Sequence, residues 1–153
     1  MIELLKKIYP LMLAPVSNGT DRCVELLCEE LPFNVHEYDS NSEHNGWVIP
    51  MKWEVQKANI YKDGKLIYDG MEHPLGVIGY SQQYQGRISL KELKKHLFYH
   101  PKWPNALVYH CDLFYKTQKK NWGFSIPQTL YKKLAKGQYD ITLETTHSEG
   151  TLK

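Results

Sequence analysis

Ile60-Tyr61-Lys62-Asp63-Gly64-Lys65-Leu66-Ile67-Tyr68 places two short apolar runs on either side of Asp63-Gly64. Glycine accepts a positive φ at no steric cost, so a tight turn fits here and Ile60-Tyr61 can pair with Leu66-Ile67-Tyr68 as a hairpin. Reading towards the amino terminus, Trp53 to Tyr61 continues the first strand. Pro50 disfavours helix in Ile49, so Trp47 to Ile49 reads as extended chain. Asp39 to Gly46 is a polar loop, and Phe33, Val35 and Glu37 alternate as a strand would.

Before Pro32 the pattern is helical. Residues 2–9 form a short helix ending at Pro10. Asn18 or Ser17 can cap a second helix reaching Leu31. Val24, Leu27, Cys28 and Leu31 fall at i, i+3, i+4 and i+7, one apolar stripe.

Towards the carboxyl terminus, Gly76 to Tyr80 reads as a short apolar strand. Ser89-Leu90-Lys91-Glu92 is a capping box and predicts a helix running to Phe98. Pro101 and Pro104 mark a loop. Leu107 to Cys111 and Asn121 to Ser125 read as strands. Pro127 suits the first turn of a helix that Gly137 ends. Tyr139, Ile141, Leu143 and Thr145 alternate through a last strand, and the residues from His147 on form a polar tail. Strands interrupted by helices without strict alternation predict an α+β fold, mostly antiparallel. The expected organisation is a helical arm over 1–32, a β-rich module over 33–147 and a tail over 148–153.

Composition bounds the function. With 153 residues, 42% hydrophobic and 24% charged, the chain can bury a core without disulfides or metal. A net charge of +2 argues for neither nucleic acid nor an anionic membrane as partner. Cys23, Cys28 and Cys111 have no metal-like or redox-like spacing, which fits a reducing, cytoplasmic setting. Glu3, Lys6 and Lys7 interrupt the apolar start, so it reads as neither a signal peptide nor a membrane span.

Candidate chemistry is sparse. Gly79-Tyr80-Ser81-Gln82-Gln83 approaches a nucleophile elbow, but Gln83 stands where that turn needs glycine. His96 and His100 have a spacing that zinc accepts on a helix, but Leu97 replaces the glutamate of that motif. His110-Cys111-Asp112 holds three ligand types, yet neighbours on a strand face opposite ways. His36, Glu37, Asp39, Glu43 and His44 lack the spacing of an oxygen-ligand loop. Lys116, Lys119, Lys120, Lys132, Lys133 and Lys136, with Tyr115 and Trp122, give local positive charge that a nucleic-acid platform would also need as a groove. Trp47, Trp53, Trp103 and Trp122 suit a core, a sugar-stacking face or a domain clamp.

Several short motifs carry a resemblance in their order. They are Ile8-Tyr9-Pro10, Asn18-Gly19 with Arg22, Val35-His36-Glu37, and Trp47-Val48-Ile49-Pro50 with Trp53. Val77-Ile78-Gly79-Tyr80-Ser81, Leu90 to Leu97, Pro101 with Pro104, Trp122-Gly123-Phe124, and Gly137-Gln138-Tyr139 to Leu152 follow. Together they resemble the amino-terminal region of bacterial M28-like zinc aminopeptidase-like proteins. These proteins carry an inserted domain of unknown function and a carboxy-terminal winged helix, and are associated with polysaccharide biosynthesis. The resemblance implies an accessory, non-catalytic role beside a zinc site supplied by a downstream domain. It gives no residue of this chain a catalytic, cofactor-binding or metal role. Zinc is expected in a full-length relative, and the expected partner is an aminopeptidase-like catalytic domain, in cis or in trans. The alternative is a free-standing carbohydrate- or protein-binding module that uses exposed aromatics.

Overall fold

The computed structural model describes residues 2–110 and 121–153. Two compact units share the chain: Met1–Glu54 with Thr146–Lys153, and Val55–Thr145. The sequence boundaries at 32/33 and 147/148 both fall inside the first unit.

The first unit holds helices α1 (Ile2–Ile8) and α2 (Asn18–Glu30). Ser17 is the N-cap of α2, its hydroxyl oxygen accepting from the Thr20 amide at 3.1 Å. Gly19 is required where α2 begins, because a Cβ there would lie 2.1 Å from the Met12 carbonyl oxygen. Leu26 is the buried residue of α2, whereas Cys28 and Leu31 of the expected stripe are exposed. The helix therefore turns a different face to the core from the one its sequence stripe suggests.

Phe33 to Glu37 forms no strand. The chain pairs only at β1 (Tyr38–Asp39), which lies antiparallel to β10 (Thr151–Leu152). The expected polar tail is thus partly a strand, joined further by the Ser40 amide donating to the Gly150 carbonyl. The expected loop over 39–46 contains β2 (Glu43–His44), paired antiparallel with β3 (Trp47–Val48). Asn45 and Gly46 both take positive φ between them, the turn that an Asn-Gly pair favours.

The second unit is built on a sheet ordered β5-β4-β9-β6, made of β4 (Lys52–Lys62), β5 (Lys65–Asp69), β6 (Tyr84–Ser89) and β9 (Gln138–Ser148). The Asp63-Gly64 hairpin forms as its residues dictate, with φ of 50° and 77° and Lys62 opposite Lys65. A register shift between Ile60 and Tyr61 sets Ile60 against Tyr68 and Tyr61 against Leu66. Along β9, Tyr139, Ile141, Leu143 and Thr145 are buried in strict alternation, as the sequence pattern requires. β6, a segment to which the sequence analysis gives no element, pairs with β9 in antiparallel register from Tyr84–Leu143 to Ser89–Gln138.

Several expected elements are shorter or absent. Gly76 to Tyr80 is not a strand, although Val77 bridges Phe124. Tyr80 has a φ of 60°, which ends any extended run, and Gly76 is pressed against the Gly70 backbone. The capping box works, with the Ser89 hydroxyl accepting from the Glu92 amide, but α3 (Leu90–Leu93) soon tightens into a 3-10 turn over Lys94–His96. The chain then turns extended because β7 (Leu97–Phe98) pairs parallel with β8 (Phe124–Ser125). Residues 107–110 are irregular, and Cys111 lies outside the described residues. Asn121 to Ser125 contributes a strand only at β8. α4 (Gln128–Lys133) stops four residues short of Gly137, and Pro127 caps it from outside with a ψ of 139°. The architecture is α+β, with antiparallel pairing in β1–β10, β2–β3, β4–β5 and β6–β9 and parallel pairing in β7–β8. Among the described residues, no helix is long and apolar enough to cross a membrane.

Gly123 sits where a Cβ would meet the Phe98 ring at 2.8 Å and the His96 carbonyl oxygen at 3.0 Å. Gly123→Ala is expected to destabilise the chain by ~1–3 kcal/mol, read as a lower urea midpoint at unchanged slope. On the exposed face, the Arg87 guanidinium grips the Asp140 carboxylate at 2.7 and 2.9 Å and holds its carboxyl below the ordinary range. The support from this pair is present above the ordinary aspartate pKa and is lost as pH falls through the lower folded value. An NMR titration of Asp140 should give a midpoint under the usual ~3.9, and Arg87→Met should raise it.

Candidate functional site

Ser81 is the first residue to place, because its sequence context approaches an activated nucleophile. It is fully buried, at 0% exposure. Its hydroxyl donates to the Ile78 carbonyl at 2.6 Å and accepts from the Gly123 amide at 3.2 Å. Its own carbonyl accepts from the Thr145 hydroxyl at 3.0 Å. A hydroxyl committed in this way joins two segments of backbone, and a substrate has no route to it.

His96 and His100 go to different tasks. His96 lies flat on the Trp122 indole, with centroids 3.8 Å apart and planes 6° apart. Its Nδ1 is 2.8 Å from the Trp122 carbonyl oxygen, and its Nε2 is 3.8 Å from a Glu92 carboxylate oxygen. Tyr84 stacks with the same indole at 4.4 Å, so Trp122 lies at the centre of a three-ring stack. His100 caps its own loop, its Nδ1 accepting from the Lys102 and Trp103 amides while its ring stacks on Trp103. His110 stacks on Phe98 at 3.9 Å, and its neighbours Cys111 and Asp112 lie outside the described residues.

The acidic and histidine stretch is likewise dispersed. His44 meets the Tyr38 ring edge-on, and Glu37 lies 3.7 Å from the Lys153 amine. Among the described residues, no three His, Cys, Asp or Glu side chains converge on a point where a metal ion would fit. Of the basic cluster, Lys132, Lys133 and Lys136 are exposed, while Lys116, Lys119, Lys120 and Tyr115 lie outside the described residues. Trp122 is buried, so it offers no platform for a nucleobase. Trp53 is also core, at 2% exposure, whereas Trp47 and Trp103 are exposed at 57% and 66%.

The feature the sequence reading partly anticipated is an apolar groove in the first unit. It has a volume of about 380 Å³. Val24, Leu27 and Cys28 of α2 form one wall, and Phe33, Val35 and Tyr38 the other. Lys153 lies at the rim, its amine 3.1 Å from Asp21, and this contact raises its pKa above the ordinary lysine value. The stripe over Val24, Leu27 and Cys28 is therefore real, and it lines an open groove.

Residues 52–146 match the family described as Domain of unknown function (DUF2172). The chain belongs to this family. The DUF2172 match covers the central sheet but leaves the groove-lining residues outside it. A longer similarity includes them. The chain is 25% identical over 151 residues to a Clostridium acetobutylicum protein named for polysaccharide biosynthesis and an aminopeptidase-like domain. That match takes in 98% of this chain and 34% of the relative, so the chain spans about a third of the relative's length. A crystal structure of a Clostridium acetobutylicum protein, named as a peptidase candidate, has the same fold with a TM-score of 0.81 at 24% identity. It covers 98% of this chain and 35% of its own. The DUF2172 sheet and the helical first unit thus recur together inside a polypeptide about three times as long.

Ser81→Ala removes a buried hydroxyl and leaves the Gly123 amide without that acceptor. It is expected to cost ~1–3 kcal/mol in chemical denaturation, with Ser81→Cys nearer to wild type than Ser81→Val.

Proposed function

We propose that this chain is the non-catalytic accessory part of an aminopeptidase-like protein of the M28-like class, one that shapes or covers a zinc site supplied by a further domain. The observation that carries the reading is the alignment of nearly the whole chain with one third of a protein named for an aminopeptidase-like domain. The described side chains agree with an accessory role. Ser81 and His96 are tied to backbone, and His100 caps its own loop. A peptidase zinc site needs three converging protein ligands and an open position for water. Among the described residues no such set converges, and in this reading the metal and the hydrolytic chemistry belong to the rest of such a protein. The partner is the catalytic domain, in cis or in trans, with a cytoplasmic setting and neither nucleic acid nor membrane.

Metal analysis of the purified chain is expected to find far less than one zinc per molecule, and the chain alone should not release chromophore from aminoacyl p-nitroanilides. One zinc per chain, or sustained turnover, overturns the reading.

A second reading is favoured by the exposure of Trp47 and Trp103, the latter stacked on His100. Exposed indoles can stack on sugar faces, so a carbohydrate-binding role for the same chain is testable by tryptophan fluorescence. Under this reading a glycan panel shifts the emission, and Trp103→Ala removes the shift. An unchanged spectrum across the panel eliminates it.

A further inference from the structure

Ser81, His96 and His100, considered above as candidate chemistry, do not line the apolar groove of the first unit. Most of the exposed large apolar side chains among the described residues belong to this unit, the smaller of the two. Phe33, Asn34, Val35 and His36 lie on a segment without regular secondary structure and line the groove. They face the α2 residues Val24, Leu27 and Cys28 across the groove. Apolar residues that gain no strand partner among the described residues, lining one groove with a half-exposed helical stripe, form a mostly apolar surface of the kind that marks an interface.

What covers it is indicated by the comparison. The fold of 98% of this chain, and so that of its first unit, recurs in a crystal structure where the matched part makes up 35% of a longer polypeptide. The first unit also travels with the long relative in sequence, although the DUF2172 match itself does not include the groove. We propose that the groove between α2 and residues 33–38 is the docking site for an apolar surface of the aminopeptidase-like part of such a polypeptide. This proposal rests on the accessory reading and names the contact through which that role is exercised. Most of the wall is aliphatic or aromatic, and the nearby Lys153 amine is already engaged by Asp21 and Glu37. The partner surface is therefore apolar at its centre, with no carboxylate aimed at the rim.

Cys28 is exposed and lines the groove, which makes it a built-in reporter. The test compares maleimide labelling of Cys28, followed by peptide mass spectrometry, in two polypeptides. One is the 153-residue chain; the other is the Clostridium acetobutylicum relative with its matching third exchanged for this sequence. Labelling is expected to be about tenfold slower or more in the longer polypeptide, because a docked surface shields the thiol. Phe33→Asp with Val35→Asp should restore the fast rate there, while Leu66→Asp in the second unit should not. All three positions are exposed, so these changes leave the core intact.

Equal rates in the two polypeptides overturn the proposal. Slowing in the 153-residue chain alone that grows with its concentration assigns the groove to a second copy and overturns it as well. If the exchanged polypeptide does not fold, carbene footprinting of the natural relative decides. The segment aligned with residues 24–38 must be labelled less than those aligned with 65–69 and 101–104, and equal labelling overturns the docking. Peptidase activity measured alongside separates the two readings. Activity with unshielded Cys28 removes the docking alone. Shielded Cys28 in a folded polypeptide without peptidase activity removes the accessory reading and leaves the docking.

Discussion

Burial of one five-residue segment, 122–126, governs the second unit. All five residues are buried, with Phe124 and Ser125 at 0% exposure. A buried backbone must find partners for its amides and carbonyls, since each unmet group costs about as much as a lost hydrogen bond. Here the partners come from three separate stretches. The Ile78 amide donates to the Gly123 carbonyl, and the Ser125 amide donates to the Gly76 carbonyl. The Ile126 amide donates to the Phe98 carbonyl, and the Tyr68 hydroxyl donates to the Ser125 carbonyl at 2.7 Å. Burial pushes the Tyr68 phenol well above its ordinary pKa, so it remains a donor across the physiological range.

This requirement explains features that otherwise look like candidate chemistry. The Ser81 hydroxyl is held where it can serve the Gly123 amide. The Tyr80 backbone takes its unusual φ as the chain folds back so that the Gln82 amide can reach the Asn121 carbonyl. His96 lies beside the Trp122 carbonyl and flat on its ring because β7 runs next to β8. Serine and histidine close to a conspicuous aromatic suggest an active site in sequence. In this fold they satisfy a buried strand.

The first unit follows a different rule. Its helix α2 buries little more than Leu26 and leaves its remaining apolar residues along an open groove. A domain whose function ended at its own surface would gain by covering those side chains. The occurrence of the same fold as a third of longer chains gives that surface a place to be covered.

Local rules made part of this protein legible. Asp63-Gly64 dictated its hairpin because two positive φ values suit few other pairs, and Ser17 and Ser89 marked helix starts because their hydroxyls replace missing backbone partners. The alternation in β9 announced a half-buried strand, and the α+β class followed from the mixture of periods. The sequence also showed that no motif for metal or nucleophilic catalysis was complete. Tertiary structure decided the rest. Whether Gly76 to Tyr80 or Phe33 to Glu37 became strands depended on partners far along the chain, and alternation alone cannot supply a partner. The face of α2 that meets the core carries Leu26, and the Met12 backbone packs against Gly19 at the start of the helix, a contact that no helical period encodes. The work of Ser81 and His96 was likewise fixed only when residues 122–126 were buried beside them, because a hydrogen bond between distant segments has no local signature.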